Sequence, residues 1–252
     1  MTRAALPMYD RAEIRPATDR LWAEIRDRLR AAGIDAPDAL ERPEDPWEVW
    51  QAPDLVLAQT CGLPYRRRLH GHVTLVGTPD YGLEGLEPGH YSSALVARAG
   101  DGRDLPALAG GVLAINEAGS QSGWAAIHAH AAAQGLEVSR AIRTGAHLDS
   151  ARAVAEGRAD LAALDAVTWR LIGAHDPALA AALRVVARTA PTPGLPLITG
   201  KGRDPAPVFA AVAGAIAALH PGDRAALGLR GLVAIPASAY LAVPIPPDPP
   251  IQ

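Results

Sequence analysis

From Gly111 to Thr189 short apolar runs alternate with helical stretches: "GVLAIN", Ser122 to Gln134, "VSRAIR", "HLDSARAVAEGR", "ADLAALD", "AVTWRLIGA" and "LRVVART". Strands that alternate with helices close their backbone hydrogen bonds by lying side by side in a parallel sheet, with the helices as crossovers. The series therefore predicts an α/β fold. Two proline-rich breaks bracket it, "LEGLEPGHY" near residue 88 and "TAPTPGLPLIT" near residue 193. They predict two α/β lobes, one of residues 1–95 and 190–252 and one of residues 96–189 inserted into it, joined by two crossing strands.

Outside the block, "ATDRLWAEIRDRLRAAG" reads as a helix with Leu21, Ile25 and Leu29 on one face, Thr18 or Asp19 as cap and Gly33 as stop. "DLVLAQ" and "HVTLVG" read as strands, "GHYSSALVAR" as a longer extended run, and "CGLPYRRRL" as one or two helical turns. Pro205 to Leu219 is a helix, and the proline-rich end is expected on the surface.

The 252 residues suffice for one large domain or two ordinary lobes. With a single Phe, Ala, Leu and Val must fill the core. A net charge of -3 argues against a nucleic-acid partner, and "RRR" at Arg66 to Arg68 reads as a solvated face. One cysteine, Cys61, excludes an intrachain disulfide and a cysteine zinc cluster. No histidine pair has a carboxylate at ligand spacing, so no metal and no cofactor is expected. No apolar run reaches the ~18 residues of a membrane span. No signal peptide is visible, so the sequence as written predicts a cytoplasmic protein, or a periplasmic one if a leader has been removed.

The stretch that carries chemistry is "NEAGSQSGWAA", Asn116 to Ala126. It opens a helix at the carboxyl end of a strand, where unpartnered N–H groups and the helix dipole favour an anion. Ser120, Gln121, Ser122, Gly123 and Trp124 are the candidates; an ordinary helix cap by Ser120 or Ser122 is the plain alternative. A nucleophile elbow fails, because Gln121 occupies the nucleophile position between Gly119 and Gly123. "GLPLITGKG" fails as a phosphate-binding loop by one residue of spacing. At the same level of the sheet lie Tyr9, Asp10, Gln59, Thr60, His147 and Asp165. His147 opens a helix and can donate to an oxyanion. Asp165 either meets a ligand or caps the next helix.

"SQSGW", "GAHLDSARAVAEGRADLAALDAVTW" and "PTPGLPLIT", in that order, resemble the phosphate/phosphite/phosphonate substrate-binding proteins of ABC transporters. The resemblance implies a type II periplasmic-binding-protein fold with a ligand cleft between two lobes and two crossing hinge strands. It implies a small oxyanion ligand held by Ser120 to Gly123 and His147, with Tyr9 and Asp165 on the rest of the ligand. An ABC-transporter permease is the implied partner, and no catalysis is expected. The family commonly has Thr where this sequence has Gln121. A cytoplasmic metabolite sensor and a biosynthetic enzyme on the same fold are the alternatives.

Overall fold

The computed structural model describes residues 2–252. The strands are β1 (Arg3–Ala5), β2 (Leu55–Gln59), β3 (Val73–Asp80), β4 (His90–Tyr91), β5 (Ser93–Arg98), β6 (Leu113–Ile115), β7 (Ala141–Arg143), β8 (Leu161–Asp165), β9 (Leu183–Arg188), β10 (Thr192–Pro193), β11 (Leu197–Gly200) and β12 (Gly231–Val233). The chain divides into two compact units. Of the described residues, the first comprises 2–90 and 193–242, and the second 91–192 and 243–252.

The first unit carries a five-stranded sheet in the order β1-β2-β11-β3-β12. β1 and β2 run parallel, and β11 is antiparallel to both its neighbours. β2 is buried along its whole length, as a strand covered on both faces must be. The helix Arg15–Ala31 buries Leu21, Trp22, Ile25 and Leu29. It starts three residues before the expected Thr18 cap, because Pro16 in its first turn needs no N–H partner. Thr18 instead bonds back to the Ile14 carbonyl at 3.3 Å.

The second unit carries a sheet in the order β7-β6-β8-β5-β9. β6 runs parallel to β7 and β8, as the crossover pattern requires. β5 runs antiparallel to β8 and β9, so the sheet is mixed and not wholly parallel. The core is rich in alanine: Ala94, Ala114, Ala151, Ala153 and Ala162 pack with Val96, Val154 and Leu164. Small side chains let the helix His147–Ala155 lie close to the sheet.

The tail is largely exposed, as expected, but it does not group with the first lobe, where the sequence pattern puts residues 190–252. Residues 243–252 belong to the second unit, which makes a third chain crossing at Ala242/Val243. The tail lies beside β7, with the Ala141 N–H bonded to the Pro250 carbonyl at 2.9 Å. Among the described residues no single helix is long and apolar enough to cross a membrane.

Candidate anion site

β6 delivers the chain to Asn116, and a short loop brings it to Ser120. Ser120 is extended (φ -84°, ψ 129°) and its Oγ accepts the Gly123 N–H at 2.9 Å. The helix then begins with one widened turn, Gln121–Ala125, before Ala126–Ala133 continues it as a regular α-helix. The Ser120 carbonyl accepts from both Trp124 N–H and Ala125 N–H, at 3.2 and 3.1 Å. Widened turns of this kind are frequent at functional sites. A Cβ on Gly123 would collide with Asn116 Oδ1 and crowd Ser120 Oγ, so the turn requires glycine there.

Three side chains form a polar chain at this helix start. Ser120 Oγ lies 3.5 Å from Ser122 Oγ, and Ser122 Oγ lies 2.8 Å from His147 Nε2. Ser93 supports the turn from β5 by donating its hydroxyl to the Ser122 carbonyl at 2.9 Å. His147 reaches this place because the residues after β7 are bonded to the end of β6. Thr144 N–H meets the Ile115 carbonyl and Gly145 N–H the Asn116 carbonyl, both at 2.9 Å. Gly145 takes a positive φ of 89°, and His147 then opens its helix.

Burial pushes the His147 imidazole down to about 4, with the Ala163 backbone carbonyl opposing the shift. The ring is therefore neutral at pH 7 and brings one N–H, not a charge. Its Nδ1 is buried with no partner in full hydrogen-bond geometry, so no carboxylate orients the ring as in a catalytic triad. A ring that protonates only near 4 is a weak base. The Ser122–His147 pair is thus poorly suited to make a nucleophile. No group of three metal-ligating side chains occurs among the described residues.

The other candidates divide. Asp165 ends β8 opposite Ser93 in the β5–β8 register, which sets it beside the serine turn. It is 2% exposed, and its Oδ1 accepts Val167 N–H and Thr168 N–H at 2.7 and 3.2 Å. It caps the following helix. Gln121 is buried with the turn. The Trp124 side chain belongs to the core with Leu95, Ile115 and Ile127, and its indole N–H goes to the Pro247 carbonyl at 2.7 Å.

In the first unit Tyr9 meets Tyr81 edge-on, with ring centroids 5.1 Å apart, and Gln59 Nε2 donates to Tyr81 Oη at 3.2 Å. Thr60 is fully buried, with its N–H on the Pro196 carbonyl. Asp10 is committed to ion pairs with Arg42 at 2.7 Å and Arg15 at 3.4 Å. Ser93 and Tyr81 are absent from the sequence-derived set. Sheet register brings the first to the turn and side-chain packing brings the second to Gln59, so no local motif marks either.

Several solved structures share the fold. The methylphosphonate complex of PhnD1 from Prochlorococcus marinus matches with a TM-score of 0.73 and 13% identity, covering 95% of this chain and 94% of that one. The binding-protein component of an ABC phosphonate transporter from Pseudomonas aeruginosa matches at 0.69 and 15%, covering 95% and 83%. An ATP-bound protein from Xanthomonas citri matches at 0.69 and 18%, covering 94% and 92%. No curated protein matches the chain in sequence. With an arginine-binding protein also among the matches, the architecture is that of the type II periplasmic binding proteins. Residues 54–240 match the model of the ABC transporter, phosphonate, periplasmic substrate-binding protein family. The chain belongs to that family.

Proposed function

We propose that this protein captures a small tetrahedral oxyanion of the phosphonate, phosphite or phosphate class for delivery to an ABC-transporter permease. The observation that carries this reading is the polar chain Ser120 Oγ, Ser122 Oγ and His147 Nε2 at a helix start. Neutral donors and backbone dipoles stabilise an anion there without a fixed countercharge. Such a site holds its ligand by hydrogen bonds that break singly, which suits capture followed by release. The weak basicity of His147 favours binding over turnover.

Isothermal titration with phosphate, phosphite, methylphosphonate and sulfate tests the reading. At least one should bind. A hydrogen bond to a charged group is worth ~1.5–3 kcal/mol, so Ser120→Ala and His147→Ala should each weaken binding roughly 10- to 150-fold. Ser120→Ala should also lower stability by about 1 kcal/mol, because it removes the cap on Gly123 N–H. His128 is a poor control, since its ring lies 5.3 Å from that of Trp124. His175, exposed in the last turn of the helix Ala166–His175, is the better one, and His175→Ala should bind like wild type. Wild type that binds no oxyanion, or a His147→Ala variant with unchanged affinity, would overturn the assignment.

A further inference from the structure

The segment Val243–Gln252 plays no part in that polar chain, yet it touches both arms of it. Prolines occupy positions 244, 246, 247, 249 and 250. Proline lacks an N–H and holds the chain stiff and extended, so such a segment offers mainly carbonyl acceptors at low entropic cost. The Pro249 carbonyl takes the Ile251 N–H within the segment at 2.9 Å, and those of Pro247 and Pro250 reach beyond it. Pro247 accepts the Trp124 indole N–H at 2.7 Å, and Pro250 accepts the Ala141 N–H at 2.9 Å. Gln252 N–H returns to the Ala141 carbonyl at 3.1 Å, closing a parallel bridge between Ala141 and Ile251.

Both anchors lead to the anion site. Trp124 lies in the widened turn Gln121–Ala125 and is 2% exposed. Its indole N–H is a donor that burial obliges to find an acceptor. Ala141 opens β7, whose continuation through Thr144 and Gly145 delivers His147. Covering the β7 edge alone would need only the Ala141 bonds. The bond to Trp124 extends the same segment to the serine turn.

We propose that Val243–Gln252 is a positioning strap: through Trp124 it holds the serine turn, and through Ala141 it holds the His147 arm, so that the two sets of donors keep a fixed spacing. Trp124 is then a positioning residue rather than a ligand contact. The inference rests on the oxyanion reading above.

Three variants test it by titration with methylphosphonate. Trp124→Phe keeps a buried ring and removes the indole donor. Pro247→Ala keeps the accepting carbonyl. A chain ending at Ala242 removes the strap. Trp124→Phe should bind about 3- to 10-fold more weakly, the worth of one neutral hydrogen bond, and the shortened chain more weakly still. Pro247→Ala should stay within about 2-fold of wild type, because only chain stiffness changes. In the ligand-free shortened chain the imidazole nitrogen resonances of His147 should shift, a signature that general loss of stability would not give.

Equal affinity of wild type and Trp124→Phe overturns the strap while leaving the oxyanion reading intact. If the shortened chain fails to fold, Trp124→Phe decides. If wild type binds none of the four anions, the oxyanion reading fails. The strap is then judged by the His147 resonances alone, and unchanged signals in the shortened or Trp124→Phe protein sink it.

Discussion

The neutral imidazole of His147 sets how this part of the fold responds to acid. Burial lowers its proton affinity from the ordinary 6.5 to about 4. Between those values the unfolded chain binds a proton that the folded chain refuses, so stability rises with pH across the window. The contribution is complete above about 6.5 and is lost as pH falls toward 4. Its ceiling is about 3 kcal/mol, and the half-buried ring brings it to roughly 2. Urea unfolding at pH 7 and pH 4.5 should therefore show wild type losing roughly 2 kcal/mol more than His147→Gln, which cannot titrate. Parallel losses in the two proteins would mean that His147 is freely protonated in the fold. At this scale the sequence is readable wherever a residue sits at the mouth of a helix. Ser120, Ser122 and His147 announce themselves through glycines and a helix start. Ser93 is not readable, because only its register opposite Asp165 brings it to the turn. Asp10 and Trp124 have the right residue types, but their polar groups go to Arg42 and Pro247.

On the proposed reading binding depends on the widened turn, and the glycines in it and before it, Gly123 and Gly119, should behave differently. A Cβ at Gly123 meets Asn116 Oδ1 and, at 3.2 Å, Ser120 Oγ. Gly123→Ala should cost ~1–3 kcal/mol of stability as an overpacked site and should abolish oxyanion binding by displacing the donors. A Cβ at Gly119 would have no atom within 4 Å, and the backbone there has no positive φ, so Gly119→Ala should leave both within error. Thermal melts and titrations on the pair check this, and equal effects would mean that Asn116 yields without cost. Element by element, the apolar runs locate β2, β6 and β8, because buried strands read as continuous hydrophobic segments, and also β3 and β9, which are only partly buried. The direction of β5 is hidden, since nothing in "GHYSSALVAR" says which end of the sheet the chain enters. That one run also splits, with β4 pairing to β10 and β5 joining the second sheet. The short helices Pro221–Leu227 and Ala237–Leu241 are too brief for helical periodicity to register. The place of the tail is illegible because prolines signal a surface break more loudly than they signal a row of acceptors.

At the scale of the whole molecule, each unit carries its own sheet and its own core. Ala5, Trp50, Leu55, Tyr65, Ile198 and Tyr240 cluster in the first. Leu95, Leu108, Ile115, Trp124 and Leu161 form one of the clusters in the second. Both units fall in the size range in which a single core suffices for independent folding. The first is interrupted by the insertion of the second, and the two ends of that interruption abut. Gly194 N–H donates to the Gly89 carbonyl at 2.7 Å, and a Cβ on Gly194 would meet that same oxygen. Gly89 itself has a φ of 74°, which favours glycine. The Tyr240 hydroxyl holds this junction by donating to the Gly194 carbonyl at 3.0 Å and bonding Thr78 Oγ1. A linker of about three residues, the length of a short hairpin loop, should therefore join residue 89 to residue 194 without strain. The spliced chain of residues 2–89, Gly-Ser-Gly and 194–242 should unfold cooperatively in urea with a mixed α/β circular-dichroism spectrum. Tyr240→Phe in that chain should cost about 1 kcal/mol or more, because it leaves the Gly194 carbonyl and the Thr78 hydroxyl without this partner. A broad, non-cooperative transition in the spliced chain would show that the first unit depends on the inserted one for its fold.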